Sequence, residues 1–292
     1  MEDASKWYGE LFAIKDIVVE YEYYYRYAMA LKAIGNYDKA NEYMQKFAVL
    51  KPNDSRAILF KKSPNYLETI EELSGDFELE NLDLKTTNKD GKRYYTDTDE
   101  TFYYPSVTSV TGLLSRDHIK LWRKRVGEET ANKITAQATK RGTNFHNLVE
   151  DYLRKEKEFI EFDNVLQEGM FKAMQPVLDE IIPIAIEAPL YSNVLQMAGR
   201  VDCVGIFDDQ LSIIDFKTSA KYKEEYMAKP WYIQMTAYAI MVEELTGQAI
   251  EEITALVAVE GHNAFQIFSA NPMDYVDELN DLRVRYKNVY GV

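Results

Sequence analysis

A mixed α/β fold, with a central mixed β-sheet flanked by helices and a helical region ahead of it, is what this chain of 292 residues predicts. Two observations carry the prediction. Helical spacing over 116–126, 128–155 and 166–182 gives way to three strand-like runs in succession: IAIEAPLYS at 184–192, AGRVDCVGIF at 198–207 and QLSIIDFKT at 210–218. A helical run over about 230–246, WYIQMTAYAIMVEEL, then separates that cluster from two further strands, EEITALVAVEG at 251–261 and AFQIFSA. A last helix is expected over 273–288.

The N-terminal part is of another kind. Residues 21–54, YEYYYRYAMALKAIGNYDKANEYMQKFAVLKPND, resemble one tetratricopeptide repeat, a helical hairpin. Gly35 and Asn36 take the turn, Ala40 is the small residue where the helices cross, and Pro52 closes the second helix. A further helix is expected over 8–20. No second copy follows, and one hairpin forms no solenoid, so it packs on its neighbour or on a partner. The segment YLETIEELSGDFELE at 66–80 carries Glu68, Glu71, Glu72, Asp76, Glu78 and Glu80, and reads as a short helix with an acidic linker. The expected division is therefore a helical region over 1–80 and a main domain over 81–292. Within the main domain, GKRYYTDTDETFYY reads as two short aromatic strands around a polar turn, and Pro105 with Ser106 opens a helix. The helix over 166–182 is expected to stop before Pro183.

Composition excludes several classes. Cys203 is the only cysteine, so an intramolecular disulfide, a cysteine-ligated iron–sulfur cluster and a Cys-rich zinc site are all ruled out. No run of about 18 apolar residues occurs, so no membrane partner is expected. No G-x-x-x-x-G-K-S/T loop is present, which argues against a nucleotide cofactor. The opening MEDASKWYGE resembles neither a secretory signal nor an Arg-rich transit peptide, and the expected setting is the cytoplasm of a bacterial or phage-infected cell. The net charge of -14 repels phosphate on average. Yet residues 116–141 hold Arg116, Lys120, Arg123, Lys124, Arg125, Lys133, Lys140 and Arg141 against three acids. Such a face can bind a polyanion locally.

The stretch GRVDCVGIFDDQLSIIDFKTS at 199–219 concentrates the chemistry. With Asp208-Asp209 as a two-residue turn, Phe207 faces Gln210, and the same register sets Asp202 opposite Asp215. Lys217 shares their face, while Ile214 and Phe216 point into a core. Opposed carboxylates destabilise a sheet unless one is protonated or a cation joins them, and Mg²⁺ accepts carboxylates together with phosphate oxygens. Lys217 could then orient or deprotonate a water, or steady developing charge. The plainer alternative is a strand ion pair between Asp215 and Lys217. Glu187, inside an apolar strand, needs a partner, which the same cation or an edge ion pair could provide. His146, in KRGTNFHNLVE, shares a helix side with Gly142 and Phe145, where Gly142 permits close approach of another backbone. Gln234 and Tyr238, four apart, share a helix face.

Taken together, YPSVTSVTGLL, KLWRKRVG, KRGTNFHNLVE, GRVDCVGIFDDQLSIIDFKTS and the Gln234–Tyr238 pair resemble the RecB-like branch of the PD-(D/E)XK nuclease superfamily. Within it the likeness is to the mitochondrial genome maintenance exonucleases and related phage and bacterial exonucleases. It covers about residues 104–240. Val201 stands where the superfamily's nominal proline would precede the first aspartate, and Gly199 matches the glycine-containing version of that motif.

The resemblance implies a restriction-endonuclease-like core. It implies Mg²⁺ or Mn²⁺ held by His146, Asp202, Asp215 and the Phe216 backbone carbonyl, with Glu187 as a further ligand or auxiliary acid. Lys217 would be the catalytic lysine, and Gln234 and Tyr238 would support it or touch DNA. Arg123, Lys124, Arg125 and Arg141 would contact the strand, with Trp122, Tyr103 or Tyr104 available for base stacking. The implied activity is metal-dependent exonucleolytic hydrolysis of DNA, single-stranded DNA or single-stranded tails being favoured, in replication, recombination or repair. Residues 1–80, which lie outside the resemblance, would bind a replication or recombination protein or buttress the nuclease core. The competing readings are a structure-specific or double-strand endonuclease, and a non-catalytic DNA-binding or scaffold protein retaining the fold.

Overall fold

The computed structural model describes residues 21–33, 35–51, 79, 82–89, 91–155, 160–208 and 210–291. The expected helix at 8–20, Pro52, Asp209 and the acidic segment 66–80 apart from Leu79 lie outside those residues. The chain divides into two compact units, residues 1–76 with 179–182, and residues 77–178 with 183–292.

In the first unit, α1 (Tyr21–Ala33) and α2 (Tyr37–Leu50) form a hairpin. Gly35 turns at φ +75°, a conformation that costs a residue with a Cβ, and the Asn36 side chain accepts the backbone N–H of Lys39 at 3.4 Å. Ala40, Met44 and Phe47 are fully buried, and Tyr27 meets Tyr43 edge to face at 4.5 Å.

The second unit opens on a three-stranded antiparallel sheet: β1 (Lys85–Lys89), β2 (Lys92–Thr96) and β3 (Tyr104–Pro105). The two aromatic strands correspond to β2 and β3. The sequence reading missed β1, because KTTNK is exposed throughout and shows no apolar alternation. Its register, Lys89 opposite Lys92, closes on Asp90-Gly91, a hairpin dipeptide. Ser106 caps α3 (Val107–Thr111) by accepting from Ser109 N at 3.0 Å.

Five α-helices and five strands complete the unit. They are α4 (Arg116–Val126), α5 (Glu128–Arg154), α6 (Val165–Leu178), β4 (Ile182–Ser192), β5 (Met197–Phe207), β6 (Gln210–Ser219), α7 (Lys229–Thr246), β7 (Glu252–Val259), β8 (Ala264–Ala270) and a last helix, α8 (Val276–Tyr290). The sheet order is β4-β5-β6-β7-β8, with β5–β6 and β7–β8 antiparallel and β6–β7 parallel, so the sheet is mixed. The helix expected to reach residue 182 ends at Leu178, because Ile182 is buried as the first residue of β4. Pro183 and Pro189 are accommodated because β4 is an edge strand.

The parallel pair requires a crossover, and α7 supplies it, packing on β5, β6 and β7. Its residues Tyr232, Ile233, Met235, Ala237, Tyr238 and Met241 are buried nearly all round. They join Ile213, Ala255, Val257, Leu279 and Tyr286 in one core. Helix α5 packs on β6, and α6 packs on β7 and β8. The fold thus holds the C-terminal half of α5 and the middle of β6 next to each other. Among the described residues no helix is long and apolar enough to cross a membrane.

Candidate metal and catalytic centre

The predicted β5–β6 register is present from Phe207↔Gln210 to Cys203↔Ile214, and Asp208 turns at φ +47°. The regular pairs stop there, and the Asp202 side chain takes over. Its Oδ2 accepts the backbone N–H of Phe216 at 2.9 Å and lies 3.4 Å from His146 Nδ1. The N–H and C=O of one strand residue point to the same neighbour, so the Phe216 carbonyl turns to this side as well.

His146 reaches the site because Phe145, Leu148 and Val149 bury the C-terminal half of α5 and leave the imidazole half-exposed. Glu187 comes from β4, where it holds φ +51°, a left-handed value in the middle of a strand. Such a residue costs about 1–3 kcal/mol and re-aims its side chain, as a bulge does. Neighbouring cations hold the distortion. Arg200 donates to the Glu187 carbonyl at 3.1 Å, and Arg154 donates to the Ile186 carbonyl at 2.6 Å and to Glu150 Oε1 at 3.1 Å. His146, Glu187 and Asp202 consequently offer one ligand atom each, all within 4.8 Å of one another.

Asp215 lies outside that group of three. It is 2 % exposed, its Oδ2 is 2.5 Å from Lys217 Nζ, and its Oδ1 accepts from Gln234 Nε2 at 3.4 Å. Asp202 and Asp215, expected to share one ion, thus have different neighbours in the structure. Asp202 faces His146 and Glu187, while Asp215 is drawn to the lysine. The ion-pair alternative describes Asp215 and Lys217 themselves, next to a ligand cluster rather than in place of one.

The electrostatics follow from burial. Burial, then the charges of Asp202 and Glu150, pushes Glu187 up from 4.5 to about 7. Burial also raises Asp215, to about 6, with Lys217 opposing and Asp202 adding to the rise. For Lys217 burial opposes the charge, but Asp215 and Asp202 outweigh it and keep the ammonium protonated. Burial holds the Tyr238 phenol far above its usual range, so it stays a donor. A Cβ on Gly199 would lie 2.7 Å from Tyr238 Cε1 and 2.8 Å from its hydroxyl, so the glycine of GRVD makes room for this tyrosine.

Three carboxylates thus share a partly dry site with one ammonium and one imidazole. A hard donor set of carboxylates with one imidazole fits Mg²⁺ or Mn²⁺. The excess negative charge at His146, Glu187 and Asp202 is what such an ion would offset.

Other expected residues are placed differently. Arg141 is engaged at 2.7 Å by Glu260 and at 3.3 Å by Thr218 Oγ1, so it braces α5 on the sheet instead of facing solvent as a DNA contact. Arg123 is taken by Glu128 and Asn132. Lys124 and Arg125 are exposed, and Trp122 is half-buried. Tyr104 stacks on Phe102 at 4.4 Å and bonds Asn193, which removes it as a stacking platform, whereas Tyr103 is 52 % exposed. Gly142 is not a point of close approach, since a Cβ there would meet only Thr218 Oγ1 at 4.0 Å. The sequence reading missed Arg154 and Arg200. Glu150 and Arg154, four apart on a helix, were the available signal for the first.

Comparisons with known proteins agree with this geometry. Residues 166–279 match the model of the PD-(D/E)XK nuclease superfamily, a span that contains Glu187, Asp202, Asp215, Lys217, Gln234 and Tyr238. Mitochondrial genome maintenance exonuclease 1 of Homo sapiens is 30 % identical over 129 residues, 41 % of this chain and 38 % of its own length. The proteins of that name from Xenopus tropicalis and Mus musculus are 29 % and 28 % identical over 130 residues, each 40 % of this chain and 38 % of theirs. The matched region thus spans well under half the length of these relatives. Their names overturn the expected bacterial or phage-infected cytoplasm, since they are mitochondrial exonucleases of vertebrates and point to a mitochondrial setting. That expectation rested on the composition of the opening residues MEDASKWYGE, which carries no positive signal for a compartment.

Proposed function

Because this chain contains a PD-(D/E)XK nuclease superfamily domain, we propose that it is a metal-dependent DNA exonuclease of the RecB-like branch that hydrolyses phosphodiester bonds in single-stranded DNA or single-stranded tails. One observation carries the reading: the ligand atoms of His146, Glu187 and Asp202 converge beside a buried Asp215–Lys217 ion pair. The names of the relatives support the exonuclease assignment.

His146, Glu187 and Asp202 would hold the ion, with the Phe216 carbonyl on the same side and Asp215 adjoining. A bound Mg²⁺ or Mn²⁺ would supply a Lewis acid for the phosphodiester and lower the pKa of a coordinated water. Lys217, protonated and fixed by Asp215, faces the negative charge that grows on the phosphate during cleavage. Gln234 fixes Asp215 from the α7 side, and the buried Tyr238 fills the space that Gly199 leaves. Tyr238 is not a covalent nucleophile in this scheme, because it keeps its proton. Lys124 and Arg125 bind the strand backbone, and Trp122 or Tyr103 offers an aromatic surface for a base. Residues 1–80 are an appendage that recruits a protein partner, and residues 81–292 are the nuclease.

The test is a degradation time course on end-labelled linear single strands, linear duplexes and closed circular single strands. It uses wild type and Lys217→Ala in Mg²⁺, Mn²⁺ and EDTA. Metal-dependent loss of linear strands with circles spared, and a silent variant, is the expected result. Cleaved circles would turn the reading to an endonuclease, and no cleavage of any substrate would turn it to a scaffold.

A further inference from the structure

The basic surface extends beyond α4. Three segments distant in sequence meet at Tyr290, the last residue of α8. Lys92 Nζ lies 3.0 Å from the centre of the Tyr290 ring, and Arg116 donates to the Tyr290 hydroxyl at 3.2 Å. Lys89 stands directly opposite Lys92 in the β1–β2 hairpin, and like charges so placed weaken a ribbon. Arg93, the next residue of β2, is exposed on the other face of the ribbon, and Lys287 is exposed one turn before Tyr290 in a helix end with no acid after Asp281.

In a protein of charge -14, some of the surface cations are paired with carboxylates, while Lys120, Lys124, Arg125, Lys221 and Arg285, like those around Tyr290, have no ion pair among the described residues. Arg123 pairs with Glu128, Lys133 with Glu129, Arg141 with Glu260, Lys172 with Glu168 and Lys229 with Glu278. Around Tyr290, no ion pair to Lys89, Lys92 or Lys287 occurs among the described residues, and Arg116 has only a 3.8 Å contact with its neighbour Asp117. In the sequence, Asp90 lies between Lys89 and Lys92. Cations gathered from three places, left unpaired, and continuous through Arg116 with Lys120, Lys124 and Arg125 of α4 are suited to a polyanion of some length.

We propose that the surface around Tyr290, built from Lys89, Lys92, Arg116 and Lys287, is an anchor for the sugar–phosphate backbone of the DNA strand, made of residues other than those of the catalytic centre. It rests on the nuclease reading and deepens it, since it makes the strand's length a determinant of affinity. A nucleic acid is favoured over an acidic peptide because its phosphates recur at every nucleotide and match cations spread over several elements.

The test uses the full chain with Lys89→Glu and Lys287→Glu combined, both exposed side chains with no ion pair among the described residues. A control of equal charge change combines Lys85→Glu with Lys172→Glu. Binding of labelled single strands is measured in EDTA across salt concentrations. Cleavage in Mg²⁺ is measured on strands of about 20 and about 6 nucleotides, one longer than the usual single-strand site sizes and one near their short end. The expected result for the anchor variant is about tenfold weaker binding and higher KM on the long strand, with kcat and the short strand unchanged. Its salt slope should fall by about 1.4, or 0.7 for each of two lost contacts. An equal loss in the control would reduce the effect to net charge and overturn the anchor. So would wild-type behaviour of the anchor variant on both lengths, with the nuclease reading intact. Weakened binding by the anchor variant of a wild type that binds but never cleaves would keep the anchor and sink the nuclease. A wild type that neither binds nor cleaves would sink both.

Discussion

The charged groups of the centre and those of the basic surface are held in opposite ways. Asp202 accepts a backbone N–H, Asp215 is locked between Lys217 and Gln234, and Glu187 sits on a backbone twisted into place by Arg154 and Arg200. Lys89, Lys124 and Arg125 extend into solvent with no ion pair among the described residues. Chemistry at one phosphorus atom needs donors placed to about 0.5 Å, which only a braced site provides. Attraction of a flexible strand needs charge alone, and mobile side chains can follow it. Damage to the centre should therefore appear in turnover, and damage to the surface in affinity and salt dependence.

The largest effect expected is on cleavage. Lys217→Ala should lower kcat by at least about a thousandfold, the scale of losing a donor aimed at developing charge. Calorimetric Mn²⁺ affinity should change little in that variant, while Asp202→Asn should lose both. Near-normal cleavage by Lys217→Ala would break the contrast between the two regions.

Next is packing behind the centre. Gly199→Ala places a methyl 2.7 Å from Tyr238 Cε1 and should cost about 1–3 kcal/mol in urea unfolding, with a fall in kcat. Gly142→Ala meets only Thr218 Oγ1 at 4.0 Å and should be neutral or slightly stabilising. Equal effects of the two would mean that Gly199 does not position Tyr238.

A smaller effect concerns pH. Glu187 is raised from 4.5 to about 7 in the folded protein, so the folded state keeps a proton that the unfolded state has released. Its contribution to stability is complete below about pH 4.5 and is lost as pH rises through about 7. Urea unfolding in EDTA should show this decline, and Glu187→Gln should flatten it. An unchanged slope in the variant would assign the decline to another group.

The smallest belongs to the surface. Lys124→Ala with Arg125→Ala should weaken strand binding several-fold and reduce its salt slope, with kcat unchanged. A fall in kcat would place these residues at the centre after all.

The legible and illegible parts of the molecule divide along physical lines. The order of helices and strands, the capping role of Ser106 and the register around Phe207–Gln210 are local properties, and the chain displays them in its spacing. The burial of α7 appears in its apolar run from Trp231 to Val242, interrupted by Gln234 and Thr236. The strand β1 was illegible because an exposed edge carries no apolar alternation, although Asp90-Gly91 marked its turn. Arg141 read as a free cation because its partner, Glu260, is 119 residues away. The gathering of Lys92, Arg116 and Tyr290 was hidden for the same reason, as was the division of labour between Asp202 and Asp215.

The left-handed turn at Glu187 also has a bearing on solubility. An edge strand with a regular row of free N–H and C=O groups invites another strand to add to it. In β4 the proline nitrogens of Pro183 and Pro189 cannot donate, and the backbone between them is thrown out of line at Glu187. The device that aims a carboxylate at His146 therefore also blunts this rim of the sheet against self-association. A substitution that relaxed Glu187 into regular strand geometry would remove a ligand and expose an adhesive edge at once.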